Sequence, residues 1–396
     1  MNTPLQGLRV LDFGANLAGP FGPQMLGDLG AEVVKIEEIG TAARTMGRGS
    51  SFAGCQRGKR SLAVDLKTPD GVAIAHRLIE RTDVLHHNLR HGVAERLGFD
   101  YTTAKRLNAR IIYCHTTGWG ASGPDAHRPG WDQFGQALGG AEYHSGGCEH
   151  GNPPMWYRYG MCDAVNAMHS VIGVLQALYQ RDRTGEGQLV ETNILNGGMT
   201  MSSDLYLTPA GPVERPVLDP QQRGTGPLRR LYRTADGWLM VSCRSDEQWE
   251  RLAATVDSAE LARDPRFATA AQRQAHGEAL AAVLEPLLLS RAASEWVAVL
   301  DAAGVPVELS SPTYAADMFD DPDAAAAGWI AEYDTPNLGR FKQIGTLVEL
   351  SGTPGHITGP PPLLGEHTVE ILAEVGWDAD AASDFKERGV VTYPEE

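Results

Sequence analysis

The apolar positions of this chain change period repeatedly, and each change marks an element. Val165, Met168, Ile172, Leu175 and Tyr179 recur at spacings of three and four, so one face of a helix over residues 164–181 is apolar, with Asp163 standing at its start. Residues 8–13 read as a short buried strand, 14–20 as a glycine-bearing loop, 21–29 as a helix and 31–37 as a second strand. A strand, helix and strand in that succession make a βαβ unit of a parallel sheet. Further strands are expected at 61–66, 82–88 and 111–115, and Thr68-Pro69-Asp70-Gly71 opens another helix with proline near its first turn. Ligands of an open parallel sheet lie beyond the carboxyl ends of its strands, where Asn88 to Arg90 project.

The pattern breaks between residues 199 and 226, where prolines and glycines interrupt every period, so a boundary is expected there. Residues 141–158 read as an irregular loop. Beyond the boundary, residues 231–241 form a hairpin around Ala235-Asp236-Gly237, and helices are expected over 246–256, 270–289 and 293–303.

Composition narrows the function classes. With 42% apolar and 21% charged residues, the 396-residue chain is a folded protein of two or three domains. Its 34 basic against 50 acidic side chains give −16, which argues against general nucleic-acid binding. Cys55, Cys114, Cys148, Cys162 and Cys243 show no C-x-x-C spacing, so neither a zinc site nor a disulfide framework is suggested, and they read as reduced thiols. With no apolar run of membrane-spanning length and no leader-like start, a soluble cytoplasmic protein is expected. The loop at 14–20 lacks G-x-G-x-x-G, which makes a nicotinamide enzyme unlikely on that feature.

Asp163 admits two readings. As an N-cap it would accept the free amides of the first turn. As a chemical group it would be kept ionised by the positive end of the helix dipole, available as nucleophile or base.

The run from Asp163 through Thr184-Gly185-Glu186-Gly187-Gln188-Leu189-Val190-Glu191 resembles the pattern of the class III CoA-transferases, a family that includes formyl-CoA transferase, carnitine CoA-transferase and the alpha-methylacyl-CoA racemases. The segments RVLDF, LGDLGAEVVKIE, RGKRSLAVDLKTPDG, the hairpin of Tyr232-Arg233-Thr234, and Pro360-Pro361-Pro362-Leu363-Leu364-Gly365-Glu366-His367 are similar to the family in the same order. The resemblance implies a Rossmann-like α/β large domain with a smaller α+β domain in an interlocked homodimer, binding coenzyme A without a metal. The expected division is 1–200 for the large domain, 201–226 for a linker, 227–310 for the small domain and 311–396 for the return.

By the same resemblance Asp163 is the catalytic carboxylate. The coenzyme A contacts fall at Leu17 and Ala18, at Val64, Asp65, Leu66 and Lys67, and at Asn88, Leu89, Arg90 and Arg96. Lys67, Arg90 and Arg96 suit phosphates on charge alone, and a solvated basic face is the plainer reading of each. The implied reaction moves coenzyme A from an acyl-CoA donor to a carboxylic acid acceptor through an aspartyl anhydride and an aspartyl-CoA thioester. A racemase is the alternative, but the histidine that precedes the aspartate of its G-H-D element is here Trp131, before Asp132, and tryptophan takes no proton. A coenzyme A-binding homologue without catalysis is the third reading.

The chain also departs from the pattern. A glutamine often stands where Leu17 does, which leaves only backbone to serve there. A substrate-side glycine loop finds its nearest candidate in Gly224-Thr225-Gly226-Pro227. Arg229 and Arg230 stand where the family more often has uncharged residues; a guanidinium clamp on the second carboxylate of a dicarboxylic acyl group is one reading, and a solvated loop is the plainer one.

Overall fold

Six strands, β1 (Arg9–Asp12), β2 (Glu32–Glu37), β3 (Arg60–Val64), β4 (Val84–His87), β5 (Ile112–Thr117) and β6 (Leu189–Asn193), lie side by side in the order β3-β2-β1-β4-β5-β6. All are parallel, and Val391–Thr392 closes the β3 edge antiparallel. The chain steps outward from β1 through β2 and β3, then starts again at β4 and steps the other way. The loops after β1 and β4 therefore part, leaving a crevice at their carboxyl ends. This computed structural model describes residues 3–40, 53–213, 215–256, 261–335 and 339–395. Contacts gather the chain into one unit of Met1–Gly139, Tyr157–Asp204 and Met318–Glu396 and another of Gly140–Trp156 and Leu205–Asp317.

Both faces of β1 to β4 are largely buried, which is why these strands are mainly apolar, with Asp12 and Lys35 as charged interruptions. Leu11, Val34 and Leu85 point into one core with Ile74, Leu78 and Phe99, while their neighbours Val10, Val33 and Val84 point into another with Leu26, Ile112 and Val174. The helix Pro69–Ile79 starts where expected: Thr68 Oγ1 accepts the Gly71 N–H at 3.0 Å, with Pro69 at the first helical position. At the C-terminal end, the Gly365 and His367 amides donate to Ser61 Oγ and Ser61 O at 2.7 and 3.0 Å, stitching the proline-rich segment to β3.

The long helix runs over Met161–Thr184. An apolar stripe on such a helix ordinarily faces the core, yet here Met168, Ile172 and Tyr179 are 44%, 53% and 68% exposed. The buried face carries Asn166, Ala167, Ser170, Val174, Ala177, Leu178 and Arg181 instead. Small side chains explain the choice. They let the helix Phe21–Asp28 come so close that a Cβ on Gly22 would lie 2.4 Å from Ser170 Oγ. Arg181 is buried because Asp83 pairs with it at 2.9 Å.

The second unit has its own antiparallel sheet, in the order Val307–Leu309, Trp238–Ser242, Arg229–Arg233 and Gly224–Gly226. The expected hairpin is present with Arg233 opposite Trp238, and Asp236 Oδ1 holds its turn by accepting from Ala293 N–H at 2.8 Å. Tyr232, Leu239, Trp249, Leu284, Trp296 and Leu300 form the core of this unit. The stretch expected as one helix over 270–289 is two, Ala270–Ala275 and Gly277–Leu288. Thr269 and Gln272 cap the first reciprocally, and the chain leaves helical geometry at His276. Residues expected as an irregular loop include a short helix, Ala141–Gly146. Gly224-Thr225-Gly226 is an edge strand, with no room for a Cβ on Gly224 beside Arg229 O, and is not a loop.

Candidate active site

Three helices meet at the first turn of Met161–Thr184, and glycines set how closely. A Cβ on Gly197, in Ile194–Thr200, would fall 2.4 Å from Cys162 O, and one on Gly198 would fall 2.9 Å from Gly135 O in Asp132–Leu138. The backbones therefore touch directly, and Cys162 is sealed between them. The N-cap position of the long helix is Gly160, which has no side chain to give. Its cap comes from another element: Asp132 Oδ2 accepts the Asp163 N–H at 2.8 Å. Gln136 Nε2 donates to Asp132 Oδ1 and to Tyr159 O, fixing that carboxylate in place. Asp132 is thus a buried tertiary cap that also belongs to the lining of the cleft holding Asp163.

With the helix capped by Asp132, the Asp163 carboxylate is left without a capping task. It is mostly buried, its Oδ1 has no hydrogen-bond partner, and the Ala18 backbone N–H is close enough to favour its ionised form. Burial lifts its pKa to about 7, the Asp132 charge adds to the lift, and the Ala18 amide opposes it. Burial thus acts against the ionised form that a position at the helix N-terminus favours.

Ala18 belongs to the loop between β1 and the helix Phe21–Asp28. That loop is tied across the crevice, because Asn88 Oδ1 accepts from Ala15 N–H at 2.8 Å and Asn88 Nδ2 donates to Ala15 O at 2.9 Å. Gly14 and Gly19 pass so near each other that a Cβ on either would lie 2.6 Å from the backbone of the other. Leu17 packs on Gly160, where a Cβ would meet its Cδ2 at 2.8 Å, so this position contributes packing as well as backbone.

Asp163 opens onto a cleft of about 570 Å³, which Leu17, Ala18, Asn88, Leu89, Arg90 and Trp131 help to line. A second cavity of about 670 Å³ holds Val64, Asp65, Leu66, Lys67, Leu89 and Arg96. The ten positions assigned to coenzyme A therefore divide between two cavities that share Leu89. Lys67 Nζ pairs with Glu38 at 2.6 Å, and Arg96 donates to Gly92 O at 3.0 Å. Trp131 stands half exposed, edge-on to Phe134. In the smaller unit Arg230 is buried and engaged by Asp219 and Glu285, so its guanidinium is committed to the fold, whereas Arg229 is exposed. Arg158, His91 and His127 also line the Asp163 cleft, and sequence reasoning did not select them as site residues. Arg158 lies only five residues before Asp163, which was the signal available. His115, by contrast, is structural: it bonds to Leu89 O at 2.8 Å and stacks on His87.

The profile of a family described as CoA-transferase family III matches residues 5–368. The chain belongs to that family. It is 32% identical to the succinyl-CoA–D-citramalate CoA-transferase of Chloroflexus aurantiacus, covering 94% of each chain. It is 30% identical to the human succinyl-CoA:glutarate CoA-transferase over 99% of this chain and 91% of that one. Among solved structures, a CAIB/BAIF family protein from Brucella suis aligns with a TM-score of 0.82 and 31% identity, covering 95% of this chain and 100% of the other. The large parallel sheet with its accompanying small sheets is thus shared with a structural neighbour of the family.

Proposed function

We propose that this family III CoA-transferase moves coenzyme A between dicarboxylic acids, with Asp163 as the carboxylate that carries the acyl group. The observation that carries the reading is the division of labour between two carboxylates: Asp132 caps the helix, and Asp163, with no capping role, lines the cleft beside Ala18. Ionised Asp163 attacks the donor thioester carbonyl, forming a mixed anhydride and releasing CoA thiolate. The thiolate attacks the aspartyl carbonyl, giving an aspartyl-CoA thioester and freeing the donor acid. The acceptor carboxylate attacks that thioester, and the returning thiolate takes the new acyl group and restores Asp163. Each attack places negative charge on a carbonyl oxygen beside the Asp163 carboxyl, toward which the nearby Ala18 amide can donate.

The substrate class is supported from two sides. Relatives over nearly the whole chain are named for succinyl-CoA, glutarate and citramalate. The cleft that holds Asp163 is lined by Arg90 and Arg158, both exposed and able to meet a second carboxylate, whereas Arg128 is already paired with Asp125 at 2.7 Å. With Arg230 committed elsewhere, the cleft arginines are better placed for this task than the Arg229-Arg230 pair. The nucleotide end of coenzyme A fits the neighbouring cavity, walled by Phe13, Leu66, Val93 and Leu97 with Lys67 and Arg96 among its lining, and the pantetheine arm would pass Leu89 between the two. No described helix is long and apolar enough to cross a membrane, and a cytoplasmic homodimer is the proposed form.

The test is a panel of acyl-CoA donors offered with mono- and dicarboxylic acids, with new thioesters read by mass. Succinyl-CoA with a dicarboxylic acceptor should give transfer. Arg158→Ala should lower kcat/KM for the dicarboxylic acceptor by about 10- to 100-fold, the size of one charge-assisted contact, and leave monocarboxylic transfer unchanged. Equal loss on both classes would remove Arg158 from substrate recognition.

A further inference from the structure

Beneath the loop that delivers Ala18 lies a cluster of charges buried in the sheet. Asp12, at the end of β1, is fully buried, and Lys35 on β2 and Lys59 just before β3 are 2% and 3% exposed. Three charges in such a place are costly, and apolar side chains of similar size ordinarily serve a core as well or better. Their bonds show where they act. Asp12 Oδ1 accepts the Gly14 N–H at 2.7 Å, and Lys35 Nζ donates to Gly14 O. Lys59 Nζ donates to Pro20 O at 2.8 Å, to Asp12 Oδ2 at 2.8 Å and to Gln56 Oε1 at 3.1 Å. The first and last residues of the loop are thus gripped by two lysines that share one aspartate, and Ala18 lies between the grips. Burial alone would raise the Asp12 pKa, but Lys35 and Lys59 hold it at about 2, so Asp12 stays ionised. His86, buried beside it, is held down to about 4 and stays neutral.

We propose that Asp12, Lys35 and Lys59 form a buried clamp that positions residues 14–20 so that the Ala18 N–H meets the Asp163 carboxyl, making the two lysines positioning residues for acyl transfer. The clamp touches neither substrate nor reacting atoms and acts through the loop. It rests on the reading of Asp163 as nucleophile. The groups around Asp163 are the Ala18 amide from the loop, Asp132 from its capping helix and the Cys55 thiol, which burial keeps protonated, with Arg90, His91, His127, Arg128 and Arg158 lining the same cleft.

The test compares Lys59→Met and Lys35→Met with the full-length parent. Each variant removes one grip and leaves Asp12 balanced by the other lysine. With folding confirmed by circular dichroism, coenzyme A should bind within about threefold of the parent, because the nucleotide cavity is untouched. The kcat should fall by about 10- to 100-fold with KM for the acyl-CoA nearly unchanged, less than the roughly 100- to 1000-fold of deleting an oxyanion donor because the amide is displaced and not removed. The acidic limb of the kcat–pH profile should move to higher pH, since Asp163 loses the amide that opposes its protonation. A purely structural role would lower the melting temperature without moving that limb. An unshifted limb, an unchanged kcat, or loss of folded protein in both variants would each overturn the inference. Activity in Asp163→Ala would instead sink the nucleophile reading, so the two failures are separable.

Discussion

Asp163 and Asp132 show how much depends on which carboxylate touches what. A carboxyl whose folded pKa is raised to about 7, from an unfolded value near 4, binds the extra proton in the folded state. Stability from this group is therefore fully present below pH ~4 and lost as the pH rises through ~7. Asp163→Asn, neutral throughout, should be more stable than the parent at pH 8, by on the order of 4 kcal/mol, with the gap closing toward pH 4. Chemical denaturation across that range checks this, and a gap that widens on acidification would reverse the sign of the argument. Asp163 was legible in the sequence because its motif is local. The role of Asp132 was not, because a cap supplied from 31 residues away leaves no mark at the helix it caps. Asp12 and Lys35 did leave one: each interrupts an apolar strand run, and a charge at such a place calls for a buried partner.

The elements of the parallel sheet were the most legible part, since strands buried on both faces keep their apolar runs wherever they are placed. The orientation of the long helix was not legible, because packing selected the face with small side chains over the face with large apolar ones. Its N-terminus gives two predictions. Asp132→Asn keeps an acceptor for the Asp163 N–H but removes a negative neighbour, so the acidic limb of activity should move to lower pH. Asp132→Ala loses the cap as well and should cost about 1 kcal/mol of stability. Thermal melts and pH–rate profiles of the two variants separate these effects. The glycine junction is tighter still: Gly197→Ala would drive a methyl onto Cys162 O and should destabilise by ~2 kcal/mol or more, whereas Gly237→Ala, with open space around it, should not.

At the scale of the whole molecule, the exposed face of the long helix bears on assembly. Met168, Ile172 and Tyr179 line up on one side of Met161–Thr184, and contiguous apolar surface of that kind marks an interaction site. The homodimer proposed above would cover this face. Ile172→Glu with Met168→Glu should therefore shift the protein to monomer in sedimentation, and an unchanged homodimer would place the interface elsewhere. The central claim, that Asp163 carries the acyl group, is tested most directly by trapping. Hydroxylamine added during turnover should convert Asp163, in the peptide mapped by mass spectrometry, to its hydroxamate, and Asp163→Ala should give neither adduct nor transfer. Transfer that continues in the alanine variant, or an adduct on a different carboxylate, would contradict the account.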